Sequence, residues 1–507
     1  MLKTAMIFKS NMVLQRQKNI KLWGTDSPEN SIKATLKGIT IEGLADNQGN
    51  WMLTFPPFEA ERNLELLITN GEETLKFNNI CIGEVWIAGG QSNMEYYLQY
   101  DAEKESVLSK ETNLDIRFFD YPEVSYEGQL QQYDYSKFGF WRLATKEDLP
   151  YFSAVGYYFA DNLQNELEVP IGIVGCNWGG TPACAWLDPE YLKNNEGKAW
   201  IDSYEQSITA LDIEKYKANF NSNPMNDRTN PFYDEMGNRL MYPGLSRDEQ
   251  LGLVKMMSEN PTTLVIPEPG PYYERRPGGL YETMLKKIAS FSCRGVIWYQ
   301  GESDDEKPEL YSTVFTNLIK CWRTLWEDAL PFLFVELAPF DKWLGIQTNN
   351  FPIVRSQQEF VSNTVPNTWM ASSSDVGMQW DIHPKHKKPI GTRLSLLARG
   401  HIYGENILCD PPEFLNALRV PEGIRINFKN ADGLYISGDV LNSLIIMDQA
   451  RNQLHNPLQF FIIEDSLIIK GIFPEKTIIA FAMTSYYKVN LYNKMNNPVK
   501  PFEVLVK

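Results

Sequence analysis

Hydrophobic and polar residues along this 507-residue chain follow three patterns in succession. Up to about residue 78, short runs alternate apolar and polar positions, as in 31–36 (SIKATL) and 51–55 (WMLTF). Turn residues such as those at 47–50 (NQGN) separate the runs. A period of two predicts half-buried β-strands, and short strands at this spacing are typical of a small β-sandwich.

From about residue 80, continuous apolar runs alternate with amphipathic segments. The runs 85–88 (VWIA) and 295–299 (GVIWY) have the length of buried strands, and 153–167 carries apolar residues at helical spacing. This alternation predicts a parallel sheet covered by helices. A polar segment rich in Asn and Pro, at about 190–275, interrupts it. We interpret that segment as an insertion that either roofs a functional cleft or forms a surface excursion.

Short β-type runs return after residue 405, for example 424–428 (IRINF) and 477–483 (TIIAFAM). The predicted fold class is therefore α/β. The predicted domains are a β-sandwich-like domain at 1–78, an α/β domain at 79–405 that contains the insertion, and a β-rich domain at 406–507.

Composition and charge narrow the possible partners. Hydrophobic residues make up 43% and charged residues 22% of the chain, as in globular proteins with a large core. The net charge of −16 argues against nucleic acid or an anionic membrane as a partner. It does not exclude a negatively charged sugar, because a local Arg can override the overall field.

Targeting and cysteine patterns add little more. No apolar run approaches transmembrane length, and the first residues lack the apolar core of a signal peptide, so we expect a cytoplasmic protein. No two of the six cysteines have C-x-x-C spacing, so a structural zinc site is not expected and buried free thiols are.

The strongest chemical signal lies at 82–94 (IGEVWIAGGQSNM). Gly89 and Gly90 end the strand at 85–88, and Ser92 opens a predicted helix. A serine at such a turn has an exposed hydroxyl, and nearby backbone N–H groups can hold an oxyanion. The alternative is that Ser92 only caps the helix. The pattern is not the G-x-S-x-G elbow, because Met94 occupies the last glycine position.

A nucleophilic serine needs a base and an acid that orients the base. The chain has four histidines: His383, His386, His401 and His455. Of these, His383 lies in 380–385 (WDIHPK), just ahead of a helix predicted to start near residue 388. Asp381 can place its carboxylate near the His383 ring. Asp375, in 372–377 (SSSDVG), is the alternative acid.

Candidate oxyanion donors follow two other buried strands. In 177–181 (NWGGT), a glycine offers an N–H without side-chain obstruction, and the sequence does not decide between Gly179 and Gly180. Gln300 directly follows the strand at 295–299, where its side-chain amide can donate to an oxyanion.

These segments resemble those of one known family, the sialate O-acetylesterase branch of the SGNH (GDSL-type) hydrolases. The resemblance is carried by 90–94 (GQSNM), 178–181 (WGGT), 298–303 (WYQGES) and 381–384 (DIHP). Further matching segments are 11–16 (NMVLQR), 152–157 (FSAVGY) and 490–493 (NLYN), so the resemblance covers nearly the whole chain. One departure is that the general SGNH pattern has two residues between Asp and His, whereas this chain has one.

The resemblance implies a flavodoxin-like, three-layer α/β/α catalytic domain and a serine esterase that removes O-acetyl groups from carbohydrate, foremost from 9-O-acetylated sialic acid. It implies Ser92 as nucleophile, His383 as base and Asp381 as orienting acid, with an oxyanion hole formed by the Ser92 N–H, Gly179 or Gly180, and Gln300. The expected substrate contacts are Gln91, Asn93, Trp178 and Glu302, although Glu302 alternatively braces its loop. No metal or cofactor is required.

Two alternatives remain at this stage. One is an acetylesterase for plant oligosaccharides such as acetylated xylan or mannan. The other is a non-catalytic carbohydrate-binding protein. This alternative is disfavoured by the joint presence of four residues: Ser92, Asp381, His383 and Gln300. The sequence identifies neither the sugar nor the oligomeric state, because specificity lies in loops and in the insertion.

Overall fold

The computed structural model describes residues 1–109, 112–222, 235–259, 268–454 and 459–506. Within these ranges a mixed sheet flanked by helices lies between β-rich N- and C-terminal regions, which confirms the predicted α/β fold class. His455 lies outside the described residues, as do parts of the segment at 190–275.

The N-terminal region consists of short strands with one buried face, as their alternating pattern predicts. The strands are β1 (Lys3–Thr4), β2 (Val13–Gln15), β3 (Ile20–Thr25), β4 (Ser31–Leu36), β5 (Ile39–Leu44), β6 (Asn50–Phe55), β7 (Glu61–Thr69) and β8 (Thr74–Gly90). Strands β1, β3 and β6 form a small separate sheet, whereas β4, β5 and β7 join β8.

Strand β8 connects the N-terminal region to the centre of the molecule. Its first residues alternate between exposed and half-buried positions and pair with β7, whereas residues 80–90 are all buried. The predicted domain boundary after residue 78 therefore falls inside one continuous strand. This continuity merges the N-terminal strands and the central strands into a single 11-stranded sheet.

The central part of the sheet places several strand ends side by side. Its further strands are β9 (Asn113–Asp120), β10 (Trp141–Ala144), β11 (Ile171–Asn177), β12 (Gly295–Tyr299), β13 (Phe332–Val335) and β16 (Thr368–Ala371), and a hairpin of β14 (Lys342–Trp343) and β15 (Ile346–Gln347) precedes β16. The order is β10-β9-β11-β8-β12-β13-β16, with every neighbouring pair parallel except β10–β9. The loops after β8, β11 and β12 therefore meet at one edge.

The helices are α1 (Ser92–Glu95), α2 (Lys104–Leu108), α3 (Gln129–Gln132), α4 (Ala154–Leu167), α5 (Lys198–Ile208), α6 (Ile213–Ser222), α7 (Glu235–Met241), α8 (Arg247–Glu259), α9 (Lys286–Ile288), α10 (Tyr311–Trp326), α11 (Phe351–Thr364) and α12 (Lys388–Leu397). Helices α5 to α8 belong to the insertion. Two turns of π-helix, Tyr281–Leu285 and Ala398–Ile402, precede α9 and follow α12.

Side chains of β8 alternate between two hydrophobic cores, one on each face of the sheet. Trp86 and Ala88 belong to the core that contains α4 and α12 residues, whereas Val85 and Ile87 belong to the core that contains α10 residues. Continuous apolar runs in central strands result from this two-sided burial. The arrangement gives the three layers expected for the central domain.

The C-terminal strands have a hydrophobic core of their own, which includes Ile424, Phe481 and Phe502. They are β17 (Glu413–Val420), β18 (Gly423–Lys429), β19 (Tyr435–Ile436), β20 (Leu444–Asp448), β21 (Gln459–Ile463), β22 (Ser466–Lys470), β23 (Thr477–Phe481), β24 (Leu491–Tyr492) and β25 (Phe502–Val506). All six cysteines are free and buried, as predicted. Among the described helices, none combines the length and apolar character that crossing a membrane needs.

Candidate active site

Ser92 lies where β8 turns into α1, and the turn depends on a glycine. Gly90 has a φ of +135°, and a Cβ there would lie 2.2 Å from the carbonyl oxygen of Tyr299. The next residue, Gln91, donates its backbone N–H to the same oxygen over 3.1 Å. Ser92 is then the first residue of α1, where backbone N–H groups have no partner within the helix.

The structure brings Ser92 and His383 together, 291 residues apart in sequence. The Nε2 atom of His383 lies 3.0 Å from the Ser92 Oγ. The His383 ring is buried and packs against the ring of Tyr96 and, at a centroid distance of 5.0 Å, edge-on against Trp343. A proton can pass directly between the two side chains over this distance.

Burial lowers the pKa of His383 below its ordinary value of 6.5, and the positive charges of Lys385 and Lys387 lower it further. Asp381 acts in the opposite direction without outweighing them. The imidazole is therefore neutral near pH 7, which is the form that accepts a proton from a serine hydroxyl.

Asp381 lies close to the His383 ring but is held mainly by other groups. Its Oδ1 is 3.5 Å from His383 Nδ1, longer than the roughly 2.7–3.2 Å of an N–H···O hydrogen bond. The same oxygen accepts the backbone N–H of His383 at 2.8 Å, and Oδ2 accepts Lys385 Nζ at 2.8 Å. Burial would raise the pKa of Asp381, but His383 and Lys385 outweigh it and lower that pKa.

The alternative acid, Asp375, is engaged elsewhere. Both of its carboxylate oxygens accept hydrogen bonds from Arg393, each over 2.7 Å. A bidentate pair of this kind fixes the carboxylate in place. Of the two candidate acids, Asp381 is thus the one that the structure places beside His383.

Of the two candidate glycines, Gly179 is the one that borders Ser92. A Cβ on Gly179 would lie 3.2 Å from the Ser92 Cβ, whereas a Cβ on Gly180 would meet no atom within 4 Å. The backbone N–H of Gly179 donates to Oε2 of Glu95 at 3.0 Å. Glu95 is the last residue of α1, and its contact with Gly179 was not predicted from the sequence.

The predicted donor role of Gln300 does not agree with the geometry. Gln300 is completely buried, and its Nε2 donates to the carbonyl oxygen of Thr181 at 3.2 Å and to Asp304 Oδ2 at 2.5 Å. An amide nitrogen carries two hydrogens, so neither is left for an oxyanion. In this structure Gln300 instead ties its own loop to the loop that contains Gly179.

The four predicted substrate contacts also lie in the interior. The exposed fractions of Gln91, Asn93, Trp178 and Glu302 are 3%, 0%, 3% and 8%. Gln91 Oε1 accepts the backbone N–H of Gly301 at 3.3 Å, and Asn93 Nδ2 donates to Glu302 Oε1 at 2.6 Å. Gln91 and Asn93 thus connect the loop after β8 to the loop after β12, where Glu302 lies, and the burial of all four side chains does not support a direct contact with substrate.

Two lysines near the site were missed by the sequence analysis. Lys387 is completely buried, and its ammonium group donates to Asn93 Oδ1. Burial lowers the pKa of Lys387 to about 7, with Lys385 contributing in the same direction. Lysines are almost never fully buried, so the segment 385–387 (KHK) is typical of a solvated loop and gave no signal.

A cavity of about 240 Å³ lies beside the His383 segment, between α8 and the β14–β15 hairpin. Arg247, Lys342, Trp343 and Trp380 all line it. The Arg247 guanidinium lies 5.3 Å from the Trp380 ring, and Lys342 Nζ lies 5.8 Å from it. Neither cation forms an ion pair with a carboxylate of the described residues. The cavity is therefore cationic and aromatic, and Trp343 connects it to His383.

Comparisons with known proteins relate the chain to carbohydrate esterases. Residues 246–395 match the family model for carbohydrate esterases described as sialic acid-specific acetylesterases. The human sialate O-acetylesterase is 24% identical over 80% of this chain and 72% of its own length, and the rat protein is 26% identical over 78% and 73%. The crystal structure of a carbohydrate acetylesterase from Xanthomonas citri covers 99% of both chains at 24% identity, with a TM-score of 0.74, and shows the same fold.

The fold and these matches define the chain as a carboxylic ester hydrolase of the α/β class. Its sequence matches relate it to the sialate O-acetylesterases, a group of carbohydrate esterases. The expected resemblance, fold class and enzyme class are thereby confirmed.

Proposed function

We propose that this enzyme removes O-acetyl groups from a sugar through an acetyl-enzyme intermediate on Ser92. The observation that carries the proposal is the 3.0 Å contact between Ser92 Oγ and His383 Nε2. His383 takes the hydroxyl proton as Oγ forms a bond to the acetyl carbon. The bond to the sugar oxygen then breaks, and His383 gives its proton to that oxygen. Water repeats the sequence and releases acetate.

The negative charge that develops on the acetyl oxygen needs donors on the far side of Ser92. We assign this role to the backbone N–H groups of Ser92 and Gly179. Support comes from the position of Ser92 at the N-terminus of α1 and from the close approach of Gly179 to its Cβ. Gly179 can serve only after the Glu95 carboxylate has moved away from its N–H. Asp381 holds the His383 backbone and stabilises the imidazolium by its charge.

For the substrate we propose an acetylated acidic sugar, foremost 9-O-acetylated sialic acid. The relatives named above are sialate O-acetylesterases. The cavity beside His383 offers Arg247 and Lys342 for a carboxylate, and Trp343 and Trp380 for the face of a sugar ring. This local positive charge stands in a chain of net charge −16. A neutral acetylated plant oligosaccharide would use the tryptophans but not the cations.

The test is acetate release from 9-O-acetyl sialic acid and from acetylated xylan and mannan oligosaccharides, with the Arg247→Gln/Lys342→Gln double variant beside the wild type. We expect KM for the acidic ester to rise about tenfold or more, and KM for neutral esters to stay unchanged. Lys255→Gln, a surface change on the same helix, is the matched control. A preference for neutral oligosaccharides that the double variant leaves intact would refute the acidic-sugar assignment.

The catalytic assignment is tested separately with p-nitrophenyl acetate, which needs no sugar pocket. Turnover that depends on Ser92 supports the acetyl-enzyme mechanism. A folded protein that binds acetylated sugars but releases no acetate from any ester would instead be a non-catalytic binding protein.

A further inference from the structure

A second cluster of reactive side chains lies outside the site described above, where the chain leaves α12 and enters the C-terminal strands. His401 is part of the π-helical turn Ala398–Ile402, and Cys409 and Asp410 lie shortly before β17. His401 Nε2 is 3.1 Å from Asp410 Oδ2 and 3.4 Å from Cys409 Sγ, and these last two atoms are 3.7 Å apart. Three different donor types thus meet at one point.

The spacing of the three atoms fits a metal ion. Atoms with these separations lie on a circle with a radius of about 2 Å. An ion close to the centre of that circle is therefore about 2.0–2.3 Å from each of them, as zinc is from nitrogen, oxygen and sulfur ligands. An ordinary ion pair between His401 and Asp410 does not require the Cys409 thiol to converge on the same point.

The surrounding structure holds the three donors in place. Asn493 donates to the carbonyl oxygen of Asp410 at 3.3 Å, and Asn497 donates to that of Cys409 at 3.4 Å. Trp369 stacks on the His401 ring at a centroid distance of 4.6 Å and an angle of 15°. These contacts limit how far the backbone of Cys409 and Asp410 and the ring of His401 can shift.

The backbone also leaves room for the thiol. A Cβ on Gly400 would lie 2.5 Å from Cys409 Sγ, so a side chain at this position would displace the sulfur from the cluster. Glycine therefore allows the π-helical turn to approach the thiol closely, and single π-helical turns occur frequently at functional sites.

We propose that His401, Cys409 and Asp410 bind a zinc ion. Sulfur, imidazole and carboxylate form a ligand set that zinc accepts, and a thiolate with a carboxylate balances its two positive charges. The side chains of His401 and Asp410 are 25% and 33% exposed, so a fourth, solvent-derived ligand has access. The ion links the end of the α12 segment to the start of the C-terminal region and acts as a structural clamp. Its ligands lack C-x-x-C spacing, which is why the sequence did not predict them.

The test uses full-length protein without a histidine tag, stripped with a chelator and dialysed. Isothermal titration with Zn²⁺ should show one ion per chain, and Zn²⁺ should raise Tm, because an ion that binds only the folded state stabilises it. Co²⁺ in its place should give a sulfur-to-cobalt charge-transfer band. Cys409→Ser and His401→Gln should each weaken Zn²⁺ binding at least tenfold and remove the rise in Tm.

The control is Cys293→Ala, which removes a buried thiol elsewhere and should leave binding intact. Circular dichroism confirms that each variant is folded. Esterase turnover should survive Cys409→Ser, since the cluster takes no part in the proposed chemistry, so a failure here is distinct from a failure of the active-site assignment. Absence of stoichiometric Zn²⁺ binding, or equal binding by wild type and both ligand variants, would overturn the proposal.

Discussion

The two sides of Ser92 differ in how ready they are for catalysis. On one side, the hydroxyl is already within 3.0 Å of His383 Nε2. On the other side, the backbone N–H of Gly179, one of the two proposed oxyanion donors, is bonded to the Glu95 carboxylate. In the proposed mechanism, the proton-transfer half (Ser92 and His383) is therefore already assembled, whereas in the charge-stabilising half Gly179 must first exchange its partner.

This difference has an energetic consequence. A hydrogen bond to a charged group contributes about 1.5–3 kcal/mol, so releasing Gly179 from Glu95 has a cost of that order unless substrate replaces the contact. A carboxylate left near a developing oxyanion would also repel it. In the proposed mechanism, Glu95 therefore limits the availability of the Gly179 N–H, whereas Ser92 and His383 carry out the attack and the proton transfer.

The largest effect should come from Ser92→Ala, which removes the nucleophile from the assembled half. We expect kcat on p-nitrophenyl acetate to fall by roughly 10⁴–10⁶-fold, as for other triad knockouts, with Tm nearly unchanged. Ser258→Ala, at an exposed position of α8, is the control. Near-normal turnover by a folded Ser92→Ala protein would remove Ser92 from the mechanism.

His383→Ala should follow, with kcat lower by roughly 10⁴-fold or more, because His383 Nε2 is the basic atom that contacts the Ser92 hydroxyl. The matched control is His386→Ala. Its ring is 59% exposed and contacts Glu103, so we expect no more than a small change. If steady-state assays showed the His386 variant inactive and the His383 variant active, the base would have to be reassigned.

Structural features that depend on neighbouring residues could be predicted from the sequence, whereas features that depend on contacts between distant residues could not. Helix α4 spans Ala154–Leu167, within one residue of the predicted 153–167, because its apolar period is regular and Ser153 caps it by accepting the Gly156 N–H. Strand β12 coincides with the predicted 295–299. Strand β9 was not recognised, because the polar Arg117 interrupts its apolar run. The guanidinium of Arg117 is buried against the carbonyl oxygens of Asn11 and Asn79, far away in sequence.

The same reasoning explains the site. The strand-turn-helix pattern indicated Ser92, and the resemblance of 381–384 (DIHP) to a segment of the family selected His383 as its base. They did not show which partner a polar side chain would choose among distant neighbours. Gln300 follows a strand as expected, yet its side-chain amide donates to the carboxylate of Asp304, four residues later. Glu95 and Gly179 meet across 84 residues, and only the packed structure reveals that contact.

Glu95→Ala tests the charge-stabilising half of the site. Its effect on activity should be smaller than that of the two preceding variants, and activity should rise rather than fall. With the Gly179 N–H released, we expect kcat/KM for a small acetyl ester to rise by up to roughly tenfold, which corresponds to about 1.4 kcal/mol. Glu95→Gln keeps a hydrogen-bond acceptor but loses the charge. Its kcat/KM should lie between that of Glu95→Ala and that of the wild type. A fall in kcat/KM for both variants would show that Glu95 positions the Gly179 loop rather than occupying its donor.

The smallest expected effect is a shift in the pH dependence of kcat/KM, which reports the protonation of His383. Because burial and the charges of Lys385 and Lys387 lower the pKa of His383, the acid limb of kcat/KM should have its midpoint below the ordinary histidine value of 6.5. Lys385→Met removes one of these positive charges, and the freed Asp381 oxygen no longer shares its charge with an ammonium group. Both changes favour the imidazolium, so the pKa of His383 rises and the limb moves to higher pH, by roughly one unit or less.

Lys388→Met, at an exposed position at the start of α12, is the control and should leave the acid limb of kcat/KM in place. A limb that stays fixed or moves to lower pH in the Lys385 variant would mean that the titrating group is not His383.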